Sequence, residues 1–79
     1  MARVIWIRNL GVYVFDERGS PHHLPHAHVK GRGGYRIASV FLLTLELFNV
    51  IEEPAREILE ELQAQQDVLL AAWEELNSD

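Results

Sequence analysis

Four histidines, His22, His23, His26 and His28, fall within seven residues of a 79-residue chain, punctuated by Pro21 and Pro25. In an extended backbone residues i and i+2 point to the same side, so His26 and His28 present both imidazoles in one direction. Such a pair can supply two ligands to Zn²⁺, Ni²⁺ or a similar cation. It can equally supply an acid and a base acting on one substrate. His22 or His23 is placed to add a third nitrogen, and Asp16 or Glu17 a carboxylate. Nothing in the spacing fixes that third ligand. A third reading has His26 and His28 as partly buried, hydrogen-bonded sheet residues, with His22 and His23 merely exposed.

Arg32 and Arg36 follow the histidines across the glycine-rich stretch Gly31-Arg32-Gly33-Gly34. Should that stretch fold the chain back, a guanidinium comes near His28. Histidine with arginine is a reasonable set for RNA phosphodiester cleavage, one moving protons and the other stabilising negative charge. A phosphate loop is excluded, since the Lys-Ser/Thr pair and the following helix are missing. Ser20, Ser39 and Thr44 show no nucleophile elbow.

The elements that must position these residues are legible in outline. Val4-Ile5-Trp6-Ile7 and Val12-Tyr13-Val14-Phe15 flank Asn9-Leu10-Gly11, which predicts a hairpin. A loop over Asp16–Pro21 leads to the histidines, and His26–Lys30 reads as a short strand. The glycine turn then gives a second hairpin into Tyr35–Phe41. The nearly continuous apolar run from Phe41 to Phe48 fits a doubly buried strand, or one that bends at Thr44 and continues. Trp6 and Trp73, with Tyr13, Phe15 and Phe41, are the expected large core residues.

Pro54 suits a first helical turn. Ile58, Leu59, Leu62, Leu69, Trp73 and Leu76 then share one helical face, with a gap at Gln65-Gln66. A straight helix over 54–77 would be about 36 Å long, against a radius of gyration of about 12 Å for a domain of this size. Either it breaks near Gln65 or its end projects onto another chain, and the second is favoured. Glu57, Glu60 and Glu61 read as a solvated helix face. The expected fold is α+β, one domain over 1–79. It has a small antiparallel sheet of about four strands over 2–48 and a helical part over 54–77 packed on one face.

Composition narrows the chemistry. The chain has no cysteine, which removes disulfides and thiolate zinc sites. A small domain often needs a staple, leaving histidine-bound metal or oligomerisation. No apolar run approaches the ~20 residues of a membrane span, and no targeting signal is visible, so a cytoplasmic location is expected. The net charge of -5 is lopsided: +4 over residues 1–36 and -9 over 37–79. A basic face for nucleic acid is one reading of that asymmetry, and a basic sheet against an acidic helix is the plainer one.

Leu24-Pro25-His26-Ala27-His28-Val29, Thr44-Leu45-Glu46-Leu47 and Leu69-Leu70-Ala71-Ala72-Trp73 together resemble the bacterial domain-of-unknown-function family 4160. The resemblance implies a small bacterial protein without an established activity, encoded beside another small protein in a toxin–antitoxin-like arrangement. Its motif carries over only to Pro25, His26 and His28. The sequence departs from it at Leu24, where a first proline is usual, and in the extra pair His22-His23. The expected function is therefore a protein-binding component of such a pair, partnered by a small neighbouring protein or by its own copies. The alternative is a histidine-dependent ribonuclease or a small enzyme binding a divalent metal such as zinc through His26 and His28.

Overall fold

A computed structural model describes residues 2–17 and 24–78. His22 and His23, and most of the loop expected before them, lie outside the described residues. The chain forms β1 (Ala2–Ile7), β2 (Leu10–Phe15), β3 (His26–Lys30), a 3₁₀ turn (Arg32–Gly34), β4 (Arg36–Phe41), β5 (Leu47–Phe48), α1 (Arg56–Ala64) and α2 (Gln66–Asn77). The strands make one antiparallel sheet in the order β1-β2-β3-β4-β5.

Register and the two-residue period sort the side chains onto two faces. Val12 lies opposite Val29, Val29 opposite Ala38 and Ala27 opposite Val40. All are fully buried, and Ile58, Leu62, Leu69, Ala72 and Trp73 of the two helices join them in one core. Side chains such as Leu62 and Leu69 contribute about 1.5–3 kcal/mol each by leaving water. The other face carries Tyr13 opposite His28 and His28 opposite Ser39. Trp6, opposite Gly11, belongs to that face too. The helices cover the aliphatic side, and α2 also reaches the His26 end of the other face through Trp73 and Asn77.

Several expectations are corrected. The first turn is Arg8-Asn9 rather than Asn9–Gly11, since Leu10 pairs with Ile7 and Gly11 with Trp6. Arg8 itself takes the left-handed conformation (φ 56°). Gly11 serves within the strand, where a Cβ would lie 2.7 Å from the Tyr13 ring. The run from Phe41 to Phe48 neither stays extended nor simply bends. Leu45 N–H donates to Phe41 O at 2.7 Å and Phe41 N–H to Glu46 O at 2.9 Å, so the chain reverses and β5 returns as a fifth strand. Leu45 has φ 64° in that turn.

The helical part breaks instead of projecting. Gln65 leaves helical geometry (φ -100°, ψ 9°). The Gln66 amide donates from Nε2 to the carbonyls of Leu42 at 2.7 Å and Leu43 at 3.2 Å. A polar residue in the gap thus ties the break to the β4–β5 turn, and the overlong helix no longer argues for a partner. The radius of gyration is 11.6 Å. Pro54 is buried two residues ahead of α1 rather than in its first turn. Trp6 is 66% exposed, against the expectation of a core residue, and Tyr13, Phe15 and Phe41 are only partly buried. Trp73, at 6%, is a core residue as expected. Among the described residues no helix is long and apolar enough to cross a membrane.

Candidate metal centre

β3 delivers His26 and His28 to the same side of the sheet, and their rings meet edge to face with centroids 5.3 Å apart. Just past the end of β2, Glu17 brings a carboxylate between them. Its Oε1 lies 3.5 Å from His26 Nε2 and 4.0 Å from His28 Nε2. One ligand atom from each of the three residues lies within 4.8 Å of the other two. Around a tetrahedral zinc with bonds of about 2.0–2.1 Å, ligand atoms stand about 3.4 Å apart. The two separations from Glu17, 3.5 and 4.0 Å, stand close to that spacing.

The remaining ring nitrogens are already engaged. His26 Nδ1–H donates to the Leu24 carbonyl at 2.9 Å. A carbonyl can only accept, so this bond leaves the Nε2 lone pair of the neutral ring pointing toward Glu17. His28 Nδ1 shares a hydrogen bond of 3.0 Å with Oγ of Ser39, which is fully buried. An outer nitrogen fixed on a carbonyl or hydroxyl is the usual support of a metal-bound imidazole, since it sets ring orientation and tautomer. Burial holds His28 below its ordinary pKa of 6.5, with His26, Arg36 and Lys30 acting in the same direction and Glu17 against it. A neutral ring is the form that can give its lone pair to a cation.

Glu17 is positioned from the other side of the domain. Its backbone N–H donates to Asn77 Oδ1 at 2.6 Å, and Asn77 Nδ2 donates to Phe15 O at 3.0 Å. The last turn of α2 is thereby fastened to the end of β2. The His26 ring lies 5.1 Å from Trp73 and 6.1 Å from Phe48, and the His28 ring 5.5 Å from Phe15. In front of Glu17, His26 and His28 opens a cavity of about 440 Å³, also walled by Leu24, Phe41, Phe48 and Asn49. Low polarity there strengthens whatever electrostatic interaction the centre makes.

The two arginines stand elsewhere. Arg36 is exposed opposite Lys30, displaced by a bulge, and reaches His28 only through its field. Arg32, in the 3₁₀ turn, lines a separate cavity with Trp6, Tyr13 and Lys30. Neither lines the cavity at the histidines. Of the two carboxylates named from sequence, Glu17 is the one that joins them. Asn77 and Asn49 escaped the sequence reading, and Ser39 entered it only as a hydroxyl without a nucleophile elbow. Its trace in the sequence is its place as the single hydroxyl within the apolar stretch Ile37–Phe41.

No curated protein and no solved structure matches the chain. The family model described as domain of unknown function DUF4160 matches residues 9–74, a span holding Glu17, His26 and His28, and the chain belongs to that family.

Proposed function

We propose that the protein binds one divalent transition-metal ion of the zinc class through Glu17, His26 and His28, which leave a coordination position open among the described residues, and uses that position for metal-assisted hydrolysis. The observation that carries this reading is the convergence of both Nε2 atoms on one carboxylate oxygen while both Nδ1 atoms are held from behind. Two histidines and a glutamate are a ligand set of catalytic zinc, which keeps a further position for water and lowers the pKa of that water toward neutrality. The cavity, walled in part by Leu24, Phe41 and Phe48, leaves room for the water and for a substrate. The same arrangement disfavours a metal-free acid–base pair acting on a phosphate, because Glu17 occupies the place where the anion would sit.

The test is metal content and calorimetric titration of protein purified without a histidine tag. One zinc-class ion per chain is expected, with affinity falling by about a hundredfold or more in Glu17→Gln, His26→Ala and His28→Ala. A wild-type chain that takes up no ion at micromolar metal would sink the reading.

A second reading is favoured by a separate observation. β1 is an edge strand, six residues long and mostly exposed, and among the described residues one side of its backbone has no partner strand. Such an edge accepts a partner strand. It suits a protein-binding component of a toxin–antitoxin-like pair, and co-purification with the neighbouring gene product, lost on Ile5→Pro, tests it. Both readings take the protein as bacterial and cytoplasmic.

A further inference from the structure

The sheet face turned away from the helices has the composition of a stacking platform. Trp6, 66% exposed, lies opposite Gly11, and Tyr13 follows two residues along β2. Gly11 is the floor between them, since an added Cβ would meet Tyr13 at 2.7 Å and Trp6 at 3.5 Å. Tyr13 stacks on Phe15 with centroids 6.1 Å apart, and Phe15 meets His28 at 5.5 Å. Tyr13, Phe15 and His28 therefore form a run of ring contacts toward the candidate metal centre, with Trp6 across Gly11 at its β1 end.

Cations run beside that path. Lys30 places its ammonium 4.3 Å above the Tyr13 ring and 5.5 Å from Phe15. Arg36 lies opposite Lys30, and Arg32 shares the cavity of Trp6 and Tyr13. The acids lie mainly elsewhere: Glu57, Glu60, Glu61, Asp67, Glu74 and Glu75 all sit on α1 and α2, across the core. The net charge of -5 therefore conceals a face that is basic and aromatic.

From this face we infer that the protein binds single-stranded RNA across the open sheet, bases on Trp6 and Tyr13, backbone along Lys30, Arg32 and Arg36, and one phosphodiester delivered to the cavity at Glu17, His26 and His28. Aromatic rings on an open antiparallel sheet stack two or three unpaired bases, and flanking cations track the phosphates. A duplex hides its base faces and cannot use such a platform. Asn49, on the wall of the cavity, offers a donor and an acceptor, the pairing that a ribose 2′-hydroxyl requires. The delivery of phosphate rests on the metal-centre reading; the binding of the strand does not.

The experiment is fluorescence anisotropy with a labelled twelve-residue oligo(U), in EDTA and again with one equivalent of ZnCl₂. In EDTA, Trp6→Ala with Tyr13→Ala is expected to weaken binding by about tenfold or more. Lys30→Gln with Arg36→Gln should lower the slope of log K against log salt by about 1.4, two single-strand phosphate contacts. Zinc should tighten binding severalfold in the wild type and not in Glu17→Gln. Oligo(dU) should bind more weakly, with the difference lost in Asn49→Ala. Equal affinity for duplex RNA or for oligo(dU), or an aromatic double variant that binds as the wild type does, overturns the inference. An effect of that variant on protein capture but not on RNA overturns it too. Binding in EDTA with no zinc uptake removes the metal centre and keeps the face, whereas zinc uptake without RNA binding removes the face and keeps the centre.

Discussion

Asn77 holds Glu17 by its backbone. The side-chain oxygen of the last α2 residue accepts the Glu17 N–H at 2.6 Å, while its nitrogen donates to the carbonyls of Phe15 and Trp73, both at 3.0 Å. One amide therefore sets where the β2 strand ends and where the carboxylate begins. Helix α2 and the proposed metal centre are coupled through it, by way of the Glu17 backbone.

Asn77→Ala should accordingly weaken zinc binding by about tenfold, in the range found for residues that orient ligands. It should also cost about 1–3 kcal/mol of stability through the backbone groups left unpaired. Asn77→Asp keeps the acceptor for Glu17 and loses the donor to Phe15 and Trp73. It is expected to retain more zinc affinity than stability, measured by calorimetry and by urea unfolding. Equal losses in both variants would show that Asn77 acts on the fold alone.

Ser39→Ala removes the hydroxyl behind His28. With a cation on Nε2, His28 Nδ1–H must donate, and the fully buried Ser39 is the acceptor in place. Zinc affinity should fall by about ten- to a hundredfold, with Ser39→Thr restoring part of it. Unchanged affinity in Ser39→Ala would remove the serine from the metal centre.

The pH dependence of the metal-free protein follows from the burial of His28, which holds its pKa in the fold below the ordinary 6.5. The unfolded chain therefore binds the proton more readily than the folded one. The stabilisation is complete above 6.5 and is lost as the pH falls through the lower, folded value. Urea unfolding in EDTA between pH 7.5 and pH 5 should show stability dropping on acidification. His28→Gln should flatten that profile, and an identical slope in the variant would assign the loss to other groups.

How much of this was legible follows from what each residue depends on. The period of two put His26 and His28 on one side, because that geometry is local. Glu17 could be named only alongside Asp16, since the choice depends on the contact with Asn77, 60 residues away. Ser39 depends on the β3–β4 register, which a one-residue bulge alters just beyond it. The gap at Gln65-Gln66 announced the helix break, but its cause, the Leu42 and Leu43 carbonyls, is a contact between distant segments. β5 was missed because a run of leucines says nothing of the reversal at Leu45.

Trp6 and Trp73 separate composition from position, and the difference is measurable. Both are tryptophans within apolar stretches, yet Trp73 is 6% exposed in the core and Trp6 66% exposed on the uncovered face. Trp73→Ala removes a buried ring between core and His26, and should cost about 3–5 kcal/mol. Trp6→Ala removes little from the folded interior and should shift stability by about 0.5 kcal/mol or less. Urea unfolding of the two variants side by side checks this. A loss of several kcal/mol in Trp6→Ala would mean that the outer face is covered in the folded protein, and would leave no open platform beside the centre.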